Sequence, residues 1–233
     1  MMRGTKWIFR LVLMAGLVFS VGTPSPDAIA RAAEGETNQR LELVQCANLV
    51  YAGSKSSRCF SDKFLKELSD ISFVDADTAF TPVKAGTEDL FNYPFSIMTG
   101  EGNFSLFEEE RKNIKSYLER GGFLLASAGC SSPEWDRSFR REFKIMYPEA
   151  ELIKIPMDHA IFRSVYEVER IWLKNGGTTL LEGFEMNGKI VLIYASEGLN
   201  DVPSVQGCCC CGGNEIRNSK EINTNIISYA LTH

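Results

Sequence analysis

Between Leu41 and the C-terminus, short apolar runs of strand length alternate with segments whose apolar residues recur at helical spacing, and this alternation constrains the fold more than any other feature. The strand-like runs are Leu41–Tyr51, Ile71–Val74, Phe95–Thr99, Phe123–Ala126, Leu152–Ile155 and Ile190–Ala195. Helical patterns occupy Phe60–Leu68, Leu106–Leu118, Pro133–Met146 and Ile216–Leu231. Elements in that order predict an α/β domain, a three-layer sandwich with a mostly parallel sheet covered on both faces. The chain has 233 residues, 44% hydrophobic and 24% charged, enough for one such domain over residues 41–233.

Local signals place some element ends. Ser105-Leu106-Phe107-Glu108 reads as a capping box, and Gly121-Gly122 closes the helix it opens. Ser132 followed by Pro133 reads as an N-cap with proline at the first helical position. Trp135, Phe139, Phe143 and Met146 then share one helical face, which is core packing. Asn187-Gly188 marks a hairpin turn within the least regular stretch, residues 166–188, and Asn214 is placed to cap the last helix.

The N-terminus carries Arg3, Lys6 and Arg10, then an apolar stretch from Leu11 to Gly22 that Pro24 and Pro26 break. About a dozen apolar residues are too few to span a bilayer, which takes roughly 20. Ala28-Ile29-Ala30 supplies a small-x-small cleavage pattern, so residues 1–33 are expected to be a signal peptide and its cleavage region, with 34–40 a polar leader. The mature protein is therefore expected in the periplasm or outside the cell. Losing three bases and Asp27 takes the formal charge from −5 to −7. Acids and bases are intermixed, and no basic run exceeds Arg140-Arg141, which excludes a nucleic-acid surface built on bulk positive charge.

Export also bears on the seven cysteines, at 46, 59, 130 and 208–211, because disulfides persist in an oxidising compartment. Cys46 and Cys59 flank a short polar segment and are either bridged or two unrelated buried thiols. Within Gly207-Cys208-Cys209-Cys210-Cys211-Gly212, Cys208 and Cys211 have the spacing that chelates zinc or copper or forms a redox disulfide. The other reading of the run is structural bridging, extending to Cys130.

In open parallel sheets ligands sit beyond the carboxyl ends of the strands, where every strand-to-helix loop emerges. That rule singles out Glu101 and Asn103 after one strand, Cys130 after the next and Asp201 after a third. Cys130 lies between a strand and a helix start, where backbone N–H groups favour a thiolate, so it is a candidate nucleophile with His159 as base. Ala128-Gly129-Cys130-Ser131-Ser132 lacks the glycine two residues after the nucleophile that a tight elbow uses. Asp136, Arg137 and Arg140 on the following helix either form a solvated, ion-paired face or bind an anion, because guanidinium groups match carboxylate and phosphate.

Four strings carry a resemblance: Tyr93 to Phe104, Gly121-Gly122-Phe123-Leu124, Asp136 to Glu142, and Asp158-His159-Ala160-Ile161-Phe162. Together they make the chain, from about Leu41 onwards, similar to the uncharacterised bacterial domain-of-unknown-function 4159 family. The resemblance implies a class I glutamine amidotransferase-like, flavodoxin-like fold and supplies no activity. Amidotransferases of that fold pair a cysteine elbow with a late histidine and glutamate; the histidines here are His159 and His233.

Three functions follow as expectations. The first is non-catalytic binding of a polar or anionic, sugar-like ligand, or of an envelope partner protein, at the strand-end cleft through Glu101, Asn103, Asp136, Arg137 and Arg140. The second is a metal or thiol-redox protein using Cys208 and Cys211. The third is a thiol hydrolase using Cys130 and His159.

Overall fold

The computed structural model describes residues 43–56, 59–72, 74–201 and 213–233. The expected signal peptide, the polar leader and the cysteine run at 208–211 lie outside the described residues. The elements follow as β1 (Val44–Val50), α1 (Lys63–Ile71), β2 (Ala76–Lys84), β3 (Phe95–Gly100), α2 (Glu108–Glu119), β4 (Phe123–Ala128) and α3 (Pro133–Met146). After these come β5 (Ile153–Lys154), β6 (Ile171–Trp172), β7 (Thr178–Thr179), β8 (Glu182–Met186), β9 (Lys189–Ala195) and α4 (Ser219–Thr232). Seven strands form one sheet in the order β2-β1-β3-β4-β9-β8-β5, while β6 and β7 make a separate antiparallel pair. β2, β1, β3, β4 and β9 are mutually parallel, and β8 runs against both β9 and β5. The protein is therefore an α/β three-layer sandwich on a mostly parallel sheet.

Strand alternation builds a core on each face. Phe95 and Ile97 of β3, Phe123 and Leu125 of β4, and Ile193 and Ala195 of β9 point to the side covered by α1 and α4. Met98, Leu124, Ala126, Leu192 and Tyr194 point to the side covered by α2 and α3. Both faces of the central strands are buried, so these strands read as unbroken apolar runs. On the second face the expected stripe is core: Trp135 and Phe139 are stacked 5.2 Å apart, and Phe139 lies 4.4 Å from Tyr194.

Several sequence expectations are corrected. Ile71 closes α1 instead of opening a strand, and the strand is β2, whose partly exposed residues and Pro82 suit a sheet edge. Helix α2 begins at Glu108, not within a Ser105 capping box: the Phe107 N–H donates to Glu110 Oε2 at 2.8 Å, while Ser105 Oγ accepts from Arg141. Asn214 does not cap α4, which starts at Ser219; its Oδ1 accepts from the Asn175 N–H at 2.8 Å. Ser132 does cap α3, accepting from the Trp135 N–H at 3.3 Å, and Asn187 and Gly188 both take positive φ in the β8–β9 hairpin. Among the described residues no helix is long and apolar enough to cross a membrane.

Because Phe139 is 1% exposed and packed against both Trp135 and Tyr194, Phe139→Ala is expected to cost about 3–5 kcal/mol. Urea unfolding checks this; a loss below about 1 kcal/mol would mean the aromatic layer closes over the gap.

Candidate functional site

The parallel registers bring the ends of β3 and β4 flush, with Gly100 opposite Ala128, so the loops that leave them meet. Glu101 is exposed at the end of β3, and its Oε1 lies 3.0 Å from Cys130 Sγ. Its carbonyl accepts from Lys55 Nζ at 3.2 Å. Asn103 is exposed two residues further along the same loop. The loop is pinned onto α3, with Gly102 N–H donating to Ser132 Oγ and Phe104 N–H to Ser138 Oγ, each at 3.1 Å.

Cys130 and the following Ser131 both adopt left-handed backbone, with φ of 53° and 52°. Such conformations are uncommon without glycine and persist only where surroundings hold them. Three contacts do so here. The Cys130 N–H donates to the Glu215 carboxylate. Ser131 Oγ donates to the Glu197 carbonyl at 2.6 Å. Gly213 packs so closely that a Cβ there would lie 2.0 Å from the Cys130 carbonyl oxygen. Glu215 was not anticipated, since it follows the cysteine run in no recognisable motif.

Glu215 is 6% exposed, and its Oε1 has no hydrogen-bond partner among the described residues. Burial pushes its carboxyl above the usual range, and the neighbouring Glu101 and Asp201 carboxylates add to the rise. The Cys130 N–H and the Lys174 ammonium act against it. Sulfur chemistry divides along burial. Cys46 lies within β1 as a free, fully buried cysteine, and burial, helped by Asp77, pushes its thiol up to about 12. It is not bridged to Cys59; Cys59 and Cys130 are each disulfide-bonded, to other cysteines. The proposed metal pair Cys208 and Cys211 lies outside the described residues, and no group of metal-ligating side chains occurs among the described ones.

The remaining predicted residues are placed elsewhere. Asp136 accepts from the Tyr194 hydroxyl at 2.6 Å and from Arg140 Nε at 2.8 Å, and Arg140 also reaches Glu182 at 2.7 Å across the β8 flank. Arg140 additionally stacks 5.0 Å over the Tyr194 ring, so it is committed to tying α3 to the sheet. Arg137 is exposed and pairs with Glu134 at 3.4 Å. These three are therefore a largely ion-paired helix face.

His159 is also remote. Its Nδ1 accepts from the Ile161 N–H at 3.2 Å, and its ring lies 5.6 Å from Tyr229, which packs on Phe123 at the start of β4. Cys130 follows the other end of that six-residue strand.

A hollow of about 560 Å³ opens on the β8–β5 side of the same strand-end edge. Its lining includes Lys154 at the end of β5, Arg170 before β6, Thr178 and Thr179 of β7, and Ser196 and Glu197 after β9. Ser196 and Lys154 follow from the strand-end rule; Arg170 and the threonines lie in the irregular stretch, where no pattern marks them.

The fold is an α/β sandwich on a mostly parallel sheet. The chain belongs to the domain of unknown function family DUF4159, which matches residues 46–231. No curated protein matches it.

Because the Glu215 carboxyl is raised in the folded state, the wild type loses stability as pH climbs from the ordinary carboxylate range through the folded value. Glu215→Gln, which keeps an acceptor for Cys130, is expected to gain on the wild type over that window and to match it at lower pH. Thermal melts from pH 4 to pH 8 check this; parallel curves would refute a buried, raised carboxyl.

Proposed function

We propose that this is an exported α/β binding protein that takes a small polar ligand in the hollow at the carboxyl edge of its sheet and performs no chemistry of its own. One observation carries the reading: the strand-end hollow of about 560 Å³ lies within the size range of ligand sites and is edged by polar side chains from five strands or their ends. The position is the one that open α/β sheets use for ligands. The separation of Cys130 from His159 and the bonded state of the Cys130 sulfur weigh against a hydrolase. The commitment of Arg140 to Asp136 and Glu182 moves the binding surface from α3 to the hollow.

The basic, apolar and alanine-rich N-terminus supports export, and bonded cysteines suit an oxidising compartment. Intact-mass analysis of protein recovered from the cell envelope is expected to find a chain beginning after Ala30, Ala32 or Ala33. A full-length chain retained in the cytoplasm would overturn export.

For binding, a thermal-shift screen of neutral and charged sugars, amino acids and small carboxylates is expected to yield stabilising compounds. Thr179→Trp, which fills the hollow from the β7 side, is expected to abolish their effect without altering the circular dichroism spectrum. Stabilisation that survives Thr179→Trp would place the ligand elsewhere and sink the reading.

A further inference from the structure

The hollow's charge pattern narrows the ligand, an inference that rests on the binding reading above. Its two carboxylates already have partners: Glu182 holds Arg140 at 2.7 Å, and Glu197 Oε2 accepts from the Ser196 hydroxyl at 2.7 Å. Its two cations do not share that state. Among the described residues, Lys154 and Arg170 form no ion pair, although both line the hollow. Lys154 sits opposite Glu182 in the β5–β8 register without closing a bridge, and the Arg170 guanidinium rests 5.7 Å over the half-exposed Trp172 ring, which holds it without neutralising it. Two cations facing one hollow without anionic partners there favour a ligand that brings its own negative charge. A guanidinium adds a fork that fits carboxylate or phosphate oxygens.

The rest of the lining fixes the ligand's other end. The Thr178 and Thr179 hydroxyls donate and accept, and the remaining Glu197 oxygen accepts, so the site offers complementary partners to several ligand hydroxyls. Apolar lining comes from Met157, Ile171 and Leu180. We infer that the hollow binds an anionic polyhydroxy compound, a sugar bearing a carboxylate or a phosphate, with Lys154 and Arg170 on the anion and Thr178, Thr179 and Glu197 on the hydroxyls.

Isothermal titration of the processed protein with glucuronate, glucose 6-phosphate, glucose and inorganic phosphate tests this. At least one charged sugar is expected to bind about tenfold or more tightly than glucose and than phosphate alone. Whichever of the two binds better identifies the anion as carboxylate or phosphate. Lys154→Gln and Arg170→Gln, both at exposed positions, are each expected to weaken that ligand about tenfold while leaving the melting curve unchanged. Glucose binding as tightly as the charged sugars, with sensitivity to Thr179→Trp, would overturn the anionic class and leave the hollow as a polar site. Phosphate binding as tightly as glucose 6-phosphate would overturn the hydroxyl contacts. Retention of affinity in both glutamine variants would overturn the assignment of the cations. No binding by any of the four, together with no stabilising compound in the wider screen, would remove the binding reading as well.

Discussion

The crest of this protein rests on a buried hydrogen-bond relay beneath it. Trp135 Nε1 donates to the Tyr51 hydroxyl at 2.7 Å, and that hydroxyl donates to the Thr99 carbonyl at 3.0 Å, joining α3, the residue that follows β1, and β3 in one line. The two rings are fully buried, so each polar atom would carry a desolvation cost without the other. The relay also dictates the residue above it. A Cβ at position 100 would lie 2.4 Å from the Tyr51 oxygen, so glycine ends β3 and the chain can turn sharply into Glu101. With β3 ended there and β4 ended at Ala128, the two loops that follow have no room to diverge.

The same economy explains the sorting of charges. Arg111 reaches Glu142 at 2.7 Å, and Glu142 is 1% exposed, so α2 and α3 share a nearly buried ion pair. Arg140, Asp136 and Tyr194 form a second tie, and burial together with the Asp136 carboxylate pushes the Tyr194 phenol well above its ordinary value. Arginines that hold helices to the sheet are saturated by those duties. Lys154 and Arg170, which form no ion pair among the described residues, line the hollow.

Much of the framework was legible because the central strands are buried on both faces and their helices carry narrow apolar stripes. Trp135, Phe139, Phe143 and Met146 declared α3, and Asn187-Gly188 declared the hairpin. β2 was not legible because an edge strand has no need of apolar residues on its exposed side, and the end of α1 was misread because Ile71 is apolar yet half exposed. The strand-end rule found Glu101 beside Cys130, since it depends only on parallel direction. It could not find Glu215, whose contact with Cys130 crosses a long sequence separation, nor Arg170, which arrives on an irregular segment. Asp136 and Arg140 showed their i, i+4 pairing in the sequence, but nothing there revealed that Glu182 and Tyr194 complete the cluster.

Cys46 gives the sulfur inventory a parity. Seven cysteines are an odd set, and an odd set oxidised to completion leaves one sulfur without a mate. By enclosing Cys46 in β1, where its thiolate is suppressed at any physiological pH, the sheet withdraws one member from exchange and leaves six. Enclosed there, Cys46 stays out of reach of oxidants and of thiol exchange alike.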